Sequence, residues 1–349
     1  MQKFSIHDEK KVKQLLEENW EKVFRYSQIE NAIYKNFITD FDKMETLSKS
    51  VRELLKENCF LNSLILDTEK TSSNWQTTKT LYKTETGEYI EAVIMRHLTW
   101  RVTLCVSCQA GCPMWCSFCA TWKLWLLKNL ANYEIIEQIY NAAKLINKEG
   151  NKLRNIVYMW MWEPMLNYDV VKETIDFANA QKKMDLANRR ITVSTCWIVP
   201  GIDRFTNDFP QTSLAISLHA PNDEIRQKIM PVDHTYPLKD LMISLDKYVA
   251  KSNKRVFYEY IMINWVNDDI KLAHELGKLL EWRLAHVNFI PYNAWEWTSS
   301  DWFTTTPRFV IEKFQSILQH YWVVSTIRMT MWDDIDAACW QLANRKEEK

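Results

Sequence analysis

The stretch that carries most information is Cys112-Pro113-Met114-Trp115-Cys116-Ser117-Phe118-Cys119, in which three cysteines have the spacing C-x3-C-x2-C. It follows a predicted strand, Thr103 to Ser107, so the cysteines lie in a loop beyond the carboxyl end of that strand. The spacing lets three thiolates reach the irons of a cubane iron–sulfur cluster, which normally has four cysteine ligands. One iron therefore stays open. An open iron of this kind binds the amino and carboxylate groups of S-adenosylmethionine (SAM) and supports radical chemistry.

A zinc site is the alternative interpretation of the same cysteines. It would use Cys105 and Cys108 together with Cys116 and Cys119. The spacer between these two pairs is shorter than in zinc ribbons, and Cys112 would be left without a role. The spacing therefore favours the cluster.

Composition indicates a folded protein without a membrane segment. The chain has 349 residues, of which 47% are hydrophobic and 25% charged, which fits one large domain with a small appendage. The 44 basic and 44 acidic residues cancel, so an RNA site would have to be a local patch. No apolar run approaches the ~18 residues of a membrane span, and the polar start is unlike a signal peptide. We expect a cytoplasmic protein, whose eight cysteines are reactive or metal-bound rather than a disulfide scaffold.

The order of predicted elements indicates an α/β fold. Residues 8 to about 58 read as amphipathic helices, and a hairpin follows with strands at Lys79 to Thr84 and Tyr89 to Arg96. Strands and helices then alternate, which is typical of a parallel sheet and predicts a full or partial (β/α) barrel. We predict two domains: an N-terminal helical accessory domain, 1–85, which includes the start of the hairpin and binds RNA, and a catalytic core, 86–349.

Later segments extend the pattern of the cluster loop. Cys105-Val106-Ser107-Cys108-Gln109-Ala110-Gly111-Cys112 precedes the loop and Ala120-Thr121 follows it. The other segments are Tyr158 to Asn167, Thr192 to Ile202, Ser217 to Pro221, Asn264 to Asp268, Val287 to Asn293 and Asp334 to Leu342. In this order they resemble the radical-SAM adenine C2-methyltransferases of rRNA and tRNA (the RlmN type), relatives of C8-methylating resistance enzymes. The resemblance spans about residues 20 to 345 and is weakest in the N-terminal helices.

The resemblance implies a site for each cofactor. A 4Fe-4S cluster would be held by Cys112, Cys116 and Cys119, and Glu163 would accept hydrogen bonds from the SAM amino group. The full set of implied SAM-binding residues is Trp162, Glu163, Ser194, Ser217, Leu218, His219 and Asn293. From the residues alone, each of these polar groups could instead be a buried side chain without a ligand.

The resemblance also implies three catalytic residues. Cys339 would take a methyl group from one SAM and then be attacked by the deoxyadenosyl radical made from a second. This route suits adenine C2, which has no nucleophilic lone pair. Cys105 would form a transient disulfide with Cys339 and release the product. Glu91 would be the proton acceptor, although a strand carboxylate is commonly a solvated surface group. The family usually has serine at Cys108 and a small or apolar residue at Cys196, and neither cysteine is given a role.

The expected activity is methylation of an adenosine at C2 in 23S rRNA and in tRNA, with two SAM molecules per turnover and a flavodoxin or ferredoxin-like electron donor. C8 methylation is one alternative, and a non-catalytic RNA-binding protein with a cluster or zinc is another. Basic residues beside the strand ends could neutralise RNA phosphates. The candidates are Lys123, Lys128, Arg189, Arg190, Arg226 and Lys228, with Lys10, Lys11 and Lys13 in the N-terminal helices.

The chain is abnormal in having 17 tryptophans and 5 glycines. Together they make about 6% of the chain, which is an ordinary glycine content. In the resembling family glycine stands at Trp115, Trp122, Trp125, Trp160, Trp162, Trp197, Trp265, Trp332 and Trp340. A tryptophan with left-handed backbone costs on the order of 1–2 kcal/mol, so many would exceed a typical stability of ~5–15 kcal/mol. We therefore hypothesise that UGA codons for glycine have been translated as tryptophan.

Overall fold

A computed structural model describes residues 3–119, 121, 125–159, 163–293 and 303–328. The strands are β1 (Phe4–Ser5), β2 (Cys59–Phe60), β3 (Ile65–Thr71), β4 (Thr77–Lys83), β5 (Tyr89–Arg96), β6 (Val102–Val106), β7 (Gln109–Ala110), β8 (Lys128–Asn129), β9 (Leu153–Tyr158), β10 (Ile191–Thr195), β11 (Ser213–Ser217), β12 (Val256–Met262), β13 (Ala285–Pro291) and β14 (Val324–Ile327). The helices are α1 (Glu9–Glu18), α2 (Phe24–Glu30), α3 (Lys49–Asn58), α4 (Asn132–Lys148), α5 (Tyr168–Asn179), α6 (Val199–Asp208), α7 (Asp223–Ile229), α8 (Leu238–Ser252), α9 (Ile270–Leu280) and α10 (Arg308–His320).

One ten-stranded sheet organises the described part of the chain. Its strand order is β14-β13-β12-β11-β10-β9-β6-β5-β4-β3. The strands from β6 to β14 in this order are parallel, whereas β3, β4, β5 and β6 pair antiparallel. Helices connect the parallel strands, as expected because parallel strands need crossover connections. The predicted α/β class is confirmed, and among the described strands the sheet is open, which makes it a partial barrel.

The three strands predicted with bounds are present within a few residues of their expected ends. The predicted strand at Thr103 to Ser107 is β6, and the predicted hairpin is β4 and β5. No helix of the described residues has the length and apolar character needed to cross a bilayer.

A buried carboxylate of the core, Glu137, holds the chain that leads out of the N-terminal helices. Asp8 caps α1 by accepting from Lys11 N, and Ser48 caps α3. Glu137 of α4 accepts hydrogen bonds from the backbone N–H groups of Ser63 and Leu64 at 2.7 and 2.9 Å, and from the Ser63 hydroxyl at 3.0 Å. The chain between α3 and β3 is thereby fixed to the core helix. The hairpin β3–β4 belongs to the main sheet, so sheet pairing begins before the predicted division at residue 85.

Register places one set of strand residues on the inner face of the sheet. Cys105 is opposite Val93 on β5 and Val157 on β9. Opposite residues share a face and side chains alternate along a strand. Following the register from strand to strand, the shared face carries Glu91, Cys105, Met159, Ser194, Ser217, Glu259, Ile290 and Arg328.

Candidate active site

The three cysteines of the C-x3-C-x2-C loop line one cavity at the carboxyl ends of the parallel strands. The cavity contains about 660 Å³ of empty space, part of it open to solvent. Its other lining residues are Trp115, Phe118, Thr121, Met159, Ser194, Thr195, Cys196, Ser217, Glu259, Ile290 and Arg328. The strand residues among them belong mainly to the inner face, so the register of the sheet explains why they meet there.

The cysteine loop is attached to two neighbouring elements. Ser117 N–H donates to the carbonyl of Ile229, at the end of α7, at 3.0 Å. The ring of Phe118 packs edge-on against the His219 ring, with the ring centres 4.7 Å apart. Cys119 N–H donates to the Cys116 carbonyl at 3.0 Å, which closes the turn between these two cysteines. The loop is thus fixed over the ends of β11 and α7.

The donor set suits a cluster held by three thiolates. Cys112, Cys116 and Cys119 are all buried at the cavity wall. Burial raises the pKa of Cys112, and contact with the Cys196 thiol together with burial raises the pKa of Cys116. A metal bound there would replace the thiol protons, because thiolates are the metal-binding form of cysteine. Among the described residues, no three His, Cys, Asp or Glu side chains converge closely enough to hold a single metal ion. The loop thus forms a wall of the cavity and carries three thiols.

Glu163 lies behind the cavity wall and is fully buried. Its carboxylate accepts hydrogen bonds from the Thr195 hydroxyl at 2.6 Å and from Cys196 N–H at 2.5 Å. Burial raises the pKa of Glu163 to about 7. The carboxylate thus positions two residues that line the cavity, Thr195 and Cys196, but Glu163 itself does not line it.

The other predicted SAM-binding residues divide into two groups. Ser194 and Ser217 line the cavity. Leu218 and His219 are fully buried outside the lining, and His219 Nδ1 accepts from Ile261 N–H at 3.0 Å. Asn293 lies two residues beyond β13 and is half-buried, again outside the lining. Trp162 lies outside the described residues, so its role stays a prediction.

The sequence did not single out four further lining residues, Thr195, Cys196, Glu259 and Arg328, as site residues. Glu259 accepts a hydrogen bond from the Asn288 side chain at 2.8 Å on the neighbouring strand. Burial raises the pKa of Glu259, and the nearby Arg328 opposes that rise. Side chains alternate between the two faces of a strand. Counting alternate residues along β12 and β14 places Glu259 and Arg328 on the same face as Ser217, and this was the sequence signal that identifies them.

Glu91 and Cys105 lie on the inner face of the sheet. Both side chains are buried, with 1% and 3% of the residue exposed. Cys105 is opposite Val93, two residues along β5 from Glu91, and Glu91 accepts through its carbonyl from the Ser107 hydroxyl at 2.6 Å. Two predicted catalytic residues therefore lie close together on one face of the sheet. The third, Cys339, lies outside the described residues.

Arg226 is not an RNA-binding surface residue, and that prediction is wrong. The side chain is fully buried in α7 and forms an ion pair with the equally buried Asp233 at 2.9 Å. Lys128 is half-buried and pairs with Glu134 at 2.9 Å. Lys123 lies outside the described residues. The sequence places Arg226 beside a strand end, where a charged side chain is expected to meet solvent. In the structure α7 packs under the end of β11, and this packing buries the side chain.

Comparisons with known proteins agree with this geometry. The family model "Radical SAM superfamily" matches residues 106–276, and "Ribosomal RNA large subunit methyltransferase N-terminal domain" matches residues 7–61. The chain is 37% identical over 345 residues to "Probable dual-specificity RNA methyltransferase RlmN 2" of Protochlamydia amoebophila, covering 99% of this chain and 95% of that relative. It is 36% identical to "Probable dual-specificity RNA methyltransferase RlmN" of Bacillus subtilis, covering 97% and 92%.

A solved structure extends the similarity to three dimensions. The crystal structure of a radical SAM methyltransferase from Sphaerobacter thermophilus superposes with a TM-score of 0.93 at 36% identity. The match covers 97% of this chain and 99% of that one. The N-terminal helices, where the sequence resemblance is weakest, are included in the match to the N-terminal family model.

Proposed function

Because this chain belongs to the RlmN family of radical SAM RNA methyltransferases, we propose that it methylates C2 of an adenosine in 23S rRNA and in tRNA. The observation that supports the proposal most is the single cavity at the strand ends, where three buried thiols meet Ser194 and Ser217. Cys112, Cys116 and Cys119 would hold a 4Fe-4S cluster there. The cluster and SAM, when bound, supply an electron and a carbon-centred radical.

The chain's own residues would carry the methyl group and release the product. Cys339 would hold the methyl as a thioether. The carbon-centred radical would remove one hydrogen atom from that methyl, the remaining methylene would bond to adenine C2, and the adduct would return one electron to the bound cluster. The Cys105 thiolate then attacks the Cys339 sulfur. The new S–S bond forms as the bond from sulfur to the methylene carbon breaks, and its electron pair stays on that carbon, which takes up the proton that Cys105 gave up. Glu91, on the same face as Cys105, accepts the proton lost from the adenine carbon. Two SAM molecules are used in each turnover.

The proposed setting is the cytoplasm, where the RNA substrates are available. The resting enzyme requires an external one-electron reductant, for which we propose a flavodoxin or a ferredoxin-like protein. Exposed basic residues outside the cavity would contact RNA phosphates, since phosphate contacts give affinity without reading sequence. Lys228 of α7 is a candidate because its side chain is 60% exposed.

The test is anaerobic reconstitution of the purified protein with iron and sulfide, followed by incubation with SAM, a reductant and an unmodified 23S rRNA fragment. We expect 2-methyladenosine in the digested RNA by mass spectrometry. Formation of 8-methyladenosine would support the resistance-type alternative. RNA binding without any methylated nucleoside would support the non-catalytic alternative and overturn the proposal.

A further inference from the structure

All nine tryptophans of the described residues have a left-handed backbone. Their φ angles lie between +51° and +114°. The residues are Trp20, Trp75, Trp100, Trp115, Trp125, Trp197, Trp265, Trp282 and Trp322. Only four other described non-glycine residues share this region of φ, and one of them is an asparagine that ends α8. Left-handed φ favours glycine because a Cβ atom meets the following carbonyl oxygen.

The helix ends provide an internal comparison with glycine. After α1, Trp20 N–H donates to the Glu17 carbonyl and Glu21 N–H donates to the Leu16 carbonyl. After α4, Gly150 N–H donates to the Asn147 carbonyl and Asn151 N–H donates to the Ile146 carbonyl. Both are the double hydrogen-bonded helix ending in which glycine is preferred. The chain thus uses tryptophan and glycine in one and the same motif, and Trp322 ends α10 in the same way.

The β-turns repeat the comparison. In the turn from Thr84 to Glu88, Gly87 N–H donates to the Thr84 carbonyl. In the turn from His97 to Arg101, Trp100 N–H donates to the His97 carbonyl. The two positions have φ of +104° and +61°. Side-chain packing does not offset the cost of the left-handed backbone at Trp100, because 83% of this residue is exposed.

Trp197 is the only buried member of the nine, and its surroundings do not accommodate an indole. Its φ is +114°, and the guanidinium carbon of Arg226 lies 2.7 Å from the centroid of its ring system. That separation is shorter than the ~3.5–4.0 Å of an ordinary carbon–carbon contact. The indole Nε1 is buried with no hydrogen-bond partner among the described residues. A residue without a side chain relieves the overlap and the unpaired donor together.

We infer that the functional protein carries glycine at these nine positions, because its gene uses UGA codons that are read as glycine and not as tryptophan. The same reading applies to the eight tryptophans outside the described residues. We call the chain with glycine at all seventeen positions the glycine form. In that form position 115 of the loop carries no indole, which widens the cavity beside the three thiols.

The gene and the protein test this inference directly. We expect UGA codons at all seventeen positions, and peptides from the source cells with the mass of glycine at each. UGG codons, or peptides with the mass of tryptophan, would overturn it. A reciprocal pair of variants provides a physical check that does not depend on the gene. Trp20→Gly should raise the thermal unfolding midpoint, and Gly150→Trp in the equivalent helix ending should lower it. Equal midpoints for both variants and the parent would also contradict the inference.

A different observation points to Arg226 as a positioning residue for the SAM-binding strand. Its Nε donates to the Leu218 carbonyl at 2.8 Å, and its Nη2 donates to the Ser217 carbonyl at 3.2 Å. Its Nη1 contacts the Asp233 carboxylate at 2.9 Å, and both side chains are fully buried. The same helix, α7, accepts the Ser117 N–H of the cysteine loop through the Ile229 carbonyl.

We propose that the Arg226–Asp233 pair sets the distance between the SAM-binding strand end and the cysteine loop, a proposal that rests on the proposed function. The planar guanidinium makes three directed contacts at once, which a lysine ammonium does not reproduce. Arg226 does not line the cavity. Its effect is therefore on the placement of Ser217, which lines the cavity.

The test uses Arg226→Lys and Asp233→Asn in the glycine form, with Arg204→Lys as the matched control. Arg204 forms an exposed ion pair with Asp169 on the surface. We expect unchanged iron content, SAM binding weakened by about tenfold, and more SAM cleaved per methyl transferred in both variants, with the control unaffected. A lower unfolding midpoint, with unchanged SAM affinity and an unchanged amount of SAM cleaved per methyl transferred, would show that the pair has only a structural role. If the parent itself neither binds SAM nor methylates RNA, the proposed function fails instead.

Discussion

Lys79 Nζ lies 2.8 Å from Glu91 Oε1, between the neighbouring strands β4 and β5. The Lys79 side chain is 11% exposed and that of Glu91 only 1%. The sequence had suggested that a carboxylate at this position is commonly a surface group, and the structure contradicts that alternative. Removing a carboxylate from water is costly unless a partner charge is supplied, and Lys79 supplies it. The ion pair thus holds the Glu91 carboxylate on the inner face, where the proposed function requires a proton acceptor.

Replacing Glu91 by Gln should slow methyl transfer by about 10²-fold or more, because a positioned base contributes that much to proton transfer. The KM for RNA should change little, since the substitution removes no phosphate contact. Single-turnover assays in the glycine form measure both quantities. Glu69→Gln, at an exposed position of the edge strand β3, is the matched control. Equal rates for the Glu91 and Glu69 variants would remove Glu91 from the mechanism.

Single replacement of Cys112, Cys116 or Cys119 by Ala should abolish cluster binding, because three thiolates are the fewest that hold the cluster with one open iron. Iron and sulfide analysis after anaerobic reconstitution measures the loss. Cys108→Ala is the control, since Cys108 is buried near the same loop but does not line the cavity. The parent should be brown and sensitive to oxygen. A parent that binds one equivalent of zinc and no iron or sulfide would favour the zinc interpretation.

Replacing Cys339 by Ala should prevent methyl loading of the protein. Replacing Cys105 by Ala should allow loading and radical addition but trap a covalent protein–RNA adduct, because no second thiol remains to release it. The adduct is detected as an RNA-dependent shift in denaturing gel electrophoresis, which ribonuclease treatment reverses. Cys59→Ala is the control, because Cys59 is a buried cysteine of β2. It should neither prevent methyl loading nor trap an adduct. Full activity of both the Cys339 and the Cys105 variants would make these residues structural.

The sequence predicted the core strands well because their signals are local. The apolar run at Thr103 to Ser107 and the cysteines that follow it define a strand and the loop beyond its end, and the structure has both. Arg226 was misjudged because its burial depends on a non-local contact, the packing of α7 under β11. The sequence left Glu91 open between a proton acceptor and a solvated surface group for a related reason. A carboxylate in a strand signals exposure only when that face of the sheet meets water, and the lysine that compensates it lies on another strand.

Glu137 should make the stability of the protein depend on pH. Burial raises the pKa of this carboxyl from 4.5 to about 7 in the folded state. The folded protein therefore keeps a proton that the unfolded chain releases. The stabilisation is complete below the unfolded pKa and is lost as the pH rises through about 7. Unfolding midpoints of the glycine form and its Glu137→Gln variant, measured from about pH 5 to about pH 8, isolate this contribution.

We expect the parent's advantage over Glu137→Gln to shrink as the pH rises, because the amide cannot release a proton. Glu57→Gln is the matched control, since Glu57 lies on the exposed side of α3. Its midpoint should follow the parent's at every pH. A constant difference between the parent and Glu137→Gln across the range would mean that the carboxyl does not change its protonation state there. The junction between the N-terminal helices and the core would then be held by hydrogen bonds that are insensitive to pH.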